Sequence, residues 1–152
     1  VVGSGTVSQP SFTTLEFETG IANNTLLFGS MHQGEHASAQ VKLNGIGAIS
    51  SFTDGEKYNI GVGRKFNDSL SASLSYTTEE GSSATGTSLL SPTNGTDTYA
   101  LGINYSTESV DIAFGYAMSS FGDKAVTTAY GTGNFTNNDA TTTGLRVKFK
   151  LP

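Results

Sequence analysis

LSASLSYTT, Leu70 to Thr78, sets Leu70, Ala72, Leu74 and Tyr76 against Ser71, Ser73, Ser75 and Thr77. Successive side chains of an extended chain point to opposite faces, so this period of two gives a strand with one apolar and one hydroxylated face. The pattern recurs on both sides of it. Tyr99, Leu101, Ile103 and Tyr105 oppose Thr98, Ala100, Gly102 and Asn104, and Val110, Ile112, Phe114, Tyr116 and Met118 oppose Asp111, Ala113, Gly115 and Ala117. Tyr58, Ile60 and Val62 oppose Asn59, Gly61 and Gly63 ahead of Phe66. Leu145, Val147, Phe149 and Leu151 oppose Gly144, Arg146, Lys148 and Lys150, and Leu15 and Phe17 oppose Thr14, Glu16 and Glu18. Thr25 to His32 is strand-like but less regular, because Leu26, Leu27 and Phe28 are contiguous. About seven strands are expected, near residues 12–19, 25–32, 57–66, 70–78, 97–105, 110–118 and 143–151.

At 152 residues the chain is one small domain, but 36% apolar content is low for a conventional sealed core, and 19 Gly with 14% charged residues argue against a helical or charged disordered protein. The net charge of −5, with scattered Lys and Arg, argues against nucleic acid as a partner. The absence of cysteine excludes a disulfide framework, a thiolate metal site and a thiol nucleophile. No run approaches the roughly 18 apolar residues of a membrane helix, and VVGSGTVSQP has neither the basic nor the apolar region of a leader. A membrane barrel strand needs only about 9–11 residues with alternate positions apolar, so it leaves overall composition polar.

Two all-β folds fit such stripes. In a soluble sandwich the apolar face packs on a second sheet. In a transmembrane barrel it faces lipid, and aromatic residues gather at the two interfaces. Tyr58, Phe66, Tyr76, Tyr99, Tyr105, Tyr116 and Phe149 fall on the apolar face, mostly toward strand ends, while the opposite face carries small and hydroxylated residues where a sandwich would more often carry Lys and Glu. Arg64, the one charge in these stripes, lies close to a turn. The barrel is the expected fold: all-β, antiparallel and membrane-spanning.

The connections support it. Those near Gly20–Asn24, Asn67–Ser69 and Ser106–Ser109 are tight, whereas roughly His32–Gly55, Glu79–Gly95 and Ser119–Ala140 are long and rich in Gly, Ser, Thr and Asn. Outer-membrane barrels have short periplasmic turns and longer outer loops. The first and last strands then both run toward the periplasm. Seven is odd, and an open sheet leaves two unpaired edges in lipid, so further strands are expected from a longer precursor, a second chain or an extra strand near Val41–Ile49.

Motifs for chemistry are weak. His32 and His36 are spaced as on a helix but lie at a strand end leading into a loop, which reads as a solvated pair rather than a metal site. Glu16 and Glu18 share a face with no nucleophile or His placed beside them by local sequence. GVGRKF, Gly61 to Phe66, lacks the third glycine and helix of a phosphate loop, so its glycines point to close strand packing. No catalytic residue, metal or cofactor is expected, and the chain does not read as an enzyme. The inward basic column Arg146, Lys148 and Lys150 and the inward Asp111 suggest a cross-strand pair of Asp111 with Lys148 or Lys150. With Lys65, these are the candidate lumen-lining residues.

TLEFETGIANNTLLFGSM, Thr14 to Met31, and YNIGVGRKFNDSLSASLSYTTEEG, Tyr58 to Gly81, resemble the C-terminal barrel of the long-chain fatty-acid outer-membrane transporters, the FadL-like family. GINYSTESVDIAFGYAMSSFGD and FTNNDATTTGLRVKFKLP follow the same order, so the resemblance runs from about Pro10 onward. It implies half of a fourteen-stranded barrel in the Gram-negative cell outer membrane, porin-like in architecture, that takes up hydrophobic compounds passively. The family's N-terminal hatch has no counterpart in these residues, and no family binding residue carries over. Where the family finishes on an aromatic residue, Phe149 is followed by Lys150, Leu151 and Pro152. The expected partners are outer-membrane lipid, a hydrophobic small-molecule ligand and the remaining barrel strands. The alternative is a surface-exposed β-protein whose long loops serve adhesion, phage attachment or partner binding.

Overall fold

Alternation over ten or so residues, closed by Asn- and Thr-rich turns, produces long hairpins, and these hairpins stack into one meander. The computed structural model describes residues 3–48, 50, 52–81, 94–128 and 130–150. Seven strands of 10 to 12 residues form a single antiparallel sheet: β1 (Phe12–Ala22), β2 (Thr25–Gly34), β3 (Gly55–Lys65), β4 (Leu70–Glu79), β5 (Thr96–Ser106), β6 (Val110–Phe121) and β7 (Asn138–Phe149). Each pairs with its sequence neighbours in spatial order β1 to β7. The seven expected strands are therefore present, and Leu151 lies outside the described residues.

The sheet is open. β1 and β7 each have one partner and do not pair with each other, so among the described residues the sheet does not close into a barrel. Nor does residue stretch 41–48 supply an eighth strand to the sheet. Lys42–Leu43 and Gly47–Ala48 form two-residue strands that pair in a small separate sheet with Gly5–Thr6, and Ile49 lies outside the described residues. The connection is held by side chains there, Gln40 Oε1 accepting from Ser50 Oγ at 2.8 Å and from the Phe52 amide at 3.1 Å. Such local polar bonding competes with joining a ladder.

Short turns sit at one end of the sheet. Asn24, at φ 56°, takes the left-handed conformation that Asn tolerates, and Asn67 Oδ1 accepts from the amides of Ser69 and Leu70 at 2.9 Å. Thr107 Oγ1 does the same for Val110 at 3.0 Å. At the other end the long connections carry their own structure, a 3₁₀ turn at His36–Ala39 and a hairpin of Lys124–Thr128 with Gly131–Phe135. Among the described residues the only buried apolar side chains, Ala39 and Val126, lie in these connections rather than in the large sheet.

The ladder is staggered. One row runs Thr25–Arg64–Ala72–Ile103–Phe114–Leu145. β2 starts on that row, β4 starts two residues beyond it (72 − 70) and β6 four residues beyond it (114 − 110), so each short turn lies further along than the one before. Progressive slip of this kind is the shear that a sheet needs to tilt its strands around a barrel axis.

Candidate functional site: the two faces of the sheet

Register assigns every strand residue to a face. On the apolar face, Val62, Leu74, Leu101 and Tyr116 occupy one row and Ile60, Tyr76, Tyr99 and Met118 another. These side chains are open to the surroundings, Leu74 at 59% and Tyr99 at 60% exposure. They line a shallow groove of about 460 Å³ across β2 to β6. Tyr58, Tyr76 and Tyr99 lie toward the loop end, with Tyr76 and Tyr99 rings 5.0 Å apart, and Tyr105, Phe66 and Phe149 toward the turn end, so the apolar rows are bordered by aromatics on both sides. Tyr116 is the exception, sitting in mid-strand.

Charges keep to the margins of this face. Arg64 is at its turn end, its guanidinium 6.0 Å from the Phe66 ring centroid. Three acids that the sequence reading did not place here border the loop end: Glu56, whose carboxylate accepts from Tyr58 Oη at 2.5 Å; Asp97, which accepts from Tyr76 Oη; and Asp139, which accepts from Ser120 Oγ at 2.6 Å. A phenol reaching for a margin carboxylate is what an amphipathic ring does at a polar–apolar boundary.

The opposite face is polar and small. Ser71, Ser73, Ser75, Gly102, Ala113, Gly115 and Ala117 cover β4 to β6. Toward β1 it carries two large apolar side chains, Leu26 and Phe28, which explains the contiguous Leu26–Leu27–Phe28: only Leu27 points to the apolar face. Gly63 and Gly61 lie opposite them, and a Cβ at Gly61 would run into the Phe28 ring and stand 2.8 Å from the Leu74 carbonyl oxygen. The glycines of GVGRKF thus make room for side chains of the neighbouring strand.

Of the candidate residues, Asp111 and Lys150 form the expected ion pair, Nζ to Oδ1 at 2.7 Å, and Lys150 Nζ also donates to the Thr107 carbonyl at 2.7 Å while Ser106 Oγ donates to Asp111 at 2.5 Å. Lys148 faces Asp111 directly across the ladder, and Arg146 continues the column opposite Ala113. Lys65 is on the same face but at its turn edge, paired with Asp68 at 2.9 Å. Its hydrogen bond, and then its charge, hold the Asp68 carboxyl below the usual carboxylate range.

Glu16 and Glu18 line a recess of about 390 Å³ with Phe28 and Asn59 on the polar face. His32 and His36 are separated by Phe12, whose ring stacks on one at 5.5 Å and meets the other edge-on at 5.4 Å, and His32 Nδ1 lies 2.9 Å from Thr14 Oγ1. A larger cavity of about 510 Å³ at the loop end is lined by Phe12, His32, Asp54, Lys57, Glu79 and Lys124. It draws on residues from β1 to the segment beyond β6, an assembly no local sequence pattern announces. Among the described residues no helix is long and apolar enough to cross a membrane. No family model, curated protein or solved structure matches the chain.

Proposed function

We propose that this chain is a segment of a transmembrane β-barrel of the cell outer membrane, related to the FadL-like transporters, through which hydrophobic compounds such as long-chain fatty acids pass without covalent chemistry. The observation that carries the reading is the apolar face. Strands of 10 to 12 residues match the 9–11 that tilted strands need to cross a bilayer, and are about twice the usual soluble strand length. Between the acids at the loop end and Arg64 at the turn end, the face presents an uncharged band bordered by aromatics. Among the described residues no second layer of comparable strands packs on it. Lipid satisfies such a surface; water does not.

The ladder stagger and the segregation of short turns and long connections to opposite ends support a barrel over a sandwich. A route for hydrophobic cargo is supported by the resemblance and by Leu26, Phe28 and Phe12 on the otherwise polar face. Two experiments test the reading. Extraction from outer membranes with detergent, followed by electrophoresis with and without heating, should give heat-modifiable migration; extraction by salt alone counts against a barrel. Uptake of a fluorescent long-chain fatty acid by cells lacking their own transporter should rise when the native protein is expressed, and unchanged uptake with a correctly folded barrel refutes the transport role. One observation favours a second reading as a surface binding protein: the Lys124–Thr128 and Gly131–Phe135 hairpin presents a fully exposed Tyr130 at its tip.

A further inference from the structure

At the loop end the polar face opens into the cavity of about 510 Å³, within the roughly 300–1,000 Å³ of small-molecule sites. Missing side chains make the room. The last row of the ladder on this face runs Phe12–Gly34–Gly55, and an added Cβ at Gly55 would meet no atom within 4 Å. The next row in, Thr14–His32–Lys57–Glu79, brings a cation and an anion to one wall, directly across the ladder from each other. Asp54, Glu80 and Lys124, from the connecting segments, add charges of both signs. Among the described residues Lys57, Glu79 and Lys124 make no ion pair or side-chain hydrogen bond, so their N–H groups and lone pairs are unspent. The remaining wall is aromatic. Phe12 is 52% and Phe52 49% exposed, so each ring keeps surface for a ligand.

We propose that this cavity binds the ring of a neutral sugar. Its lining disfavours the other classes. Asp54, Glu56, Glu79 and Glu80 outnumber Lys57 and Lys124, so a carboxylate or phosphate enters against the net charge. A cation gains from that charge but leaves the two ammonium groups beside it without acceptors. An alkyl chain takes water from all of these groups and replaces none of its hydrogen bonds. A hydroxyl both donates and accepts, so a polyol answers both signs at once, donating to Glu79 and Glu80 and accepting from Lys57 and Lys124. The C–H face of a sugar ring, slightly positive, lies against the negative face of an aromatic ring, which Phe12 and Phe52 offer. His32 and His36 flank the Phe12 ring at 5.5 and 5.4 Å and hold it before the ligand arrives. The site does not depend on the barrel reading, since its lining comes from the loop end whichever solvent the apolar face meets.

The test is saturation-transfer NMR on the native protein in a sugar-free detergent, with glucose, galactose, mannose and N-acetylglucosamine as probes and glucuronate and glucosamine as charged counterparts. At least one neutral sugar should show enhanced C–H signals and bind more tightly than either charged counterpart. Gly55→Leu fills the cavity without touching a neighbour and should abolish the signal, while Gly115→Leu, with equal room outside the cavity, should leave it unchanged. Lys57→Met should lower affinity about tenfold, the worth of one charge-assisted hydrogen bond, and Lys57→Arg should restore most of it. The preferred sugar is then offered on a glycolipid in phospholipid vesicles: tighter binding there makes the source a membrane glycan, equal binding a dissolved one. The proposal is overturned if no neutral sugar binds, if a charged counterpart binds more tightly, or if binding survives Gly55→Leu. Where Gly55→Leu fails to fold, the Lys57 series decides, and parental affinity in Lys57→Met overturns the proposal.

Discussion

Leu74→Arg is the substitution that separates lipid from water on the apolar face. Leu74 sits four residues from Leu70, where β4 begins, and four from Thr78, whose cross-strand partner is the margin residue Asp97. At about 3.3 Å per residue and a tilt near 40°, that places it roughly 10 Å from either border of the band. Arg at such depth costs about 2–4 kcal/mol, a roughly 30- to 700-fold loss in the folding equilibrium. In water the same change would cost within about 0.5 kcal/mol, because Leu74 is 59% exposed and gives up little packing. Leu15→Arg is the control. It is equally exposed, at 66%, but lies three residues from the loop end of β1, where about 0–1 kcal/mol is expected. The assay is a urea titration of the protein in phospholipid vesicles, following the fraction that migrates as the unheated form. If both variants stay within about 0.5 kcal/mol of the parent, the face does not meet lipid and the barrel reading fails.

The remaining predictions use the same titration unless stated. Gly61→Ala should destabilise by about 1–3 kcal/mol, because its methyl meets the Phe28 ring and the Leu74 carbonyl, whereas Gly115→Ala, with no atom within 4 Å of the new carbon, should be neutral or slightly stabilising. The Asp111–Lys150 pair is about one-third exposed at both partners, so a double-mutant cycle with Asp111→Asn and Lys150→Gln should return a coupling of no more than about 1 kcal/mol after screening. Asp68 should titrate below an ordinary carboxylate in a carbon-detected NMR titration and return toward it in Lys65→Met. Its folded pKa is depressed, so its small contribution to stability is present above the unfolded value and fades as pH falls through the folded one.

What the sequence disclosed followed the physics of alternation. Leu70–Thr78 reads as a strand because packing on one face and polarity on the other are written at every second residue, and β4 is Leu70–Glu79. The loop-side ends of β6 and β7 were not legible. Ser119 to Phe121 and Asn138 to Thr143 have no apolar period, yet the backbone ladder continues to Asn138↔Phe121, since backbone pairing does not require a greasy side chain. The irregular Leu26–Leu27–Phe28 becomes intelligible only once Gly63 and Gly61 are seen opposite Leu26 and Phe28, cross-strand relations 37 and 33 residues apart (63 − 26 and 61 − 28). Asp97 falls inside the expected strand 97–105, but the stripe is read only from Tyr99 onward, and register shows it on the apolar face under the Tyr76 hydroxyl. Asp111 with Lys150 was within reach because both lie on one face at paired strand ends.

The open edges limit which solvent the sheet can meet. β1 and β7 are 11 and 12 residues long, and about half of their backbone N–H and C=O groups point away from their single neighbours. In lipid each such group left unpaired costs several kcal/mol, so even a handful exceeds the roughly 5–15 kcal/mol by which a folded domain is stable. In water those groups are solvated and cost little, but the uncharged face of the same sheet is then exposed, with only Ala39 and Val126 buried among the described apolar residues to offset the entropy of ordering the chain. Neither solvent accommodates the open sheet alone. The proposed reading takes the bilayer, because seven strands of matched length with charges confined to their margins are what a bilayer requires and what a water-facing sheet has no need to maintain. On that reading closure by further strands is a condition of the fold, since an open sheet leaves both edges unpaired in lipid.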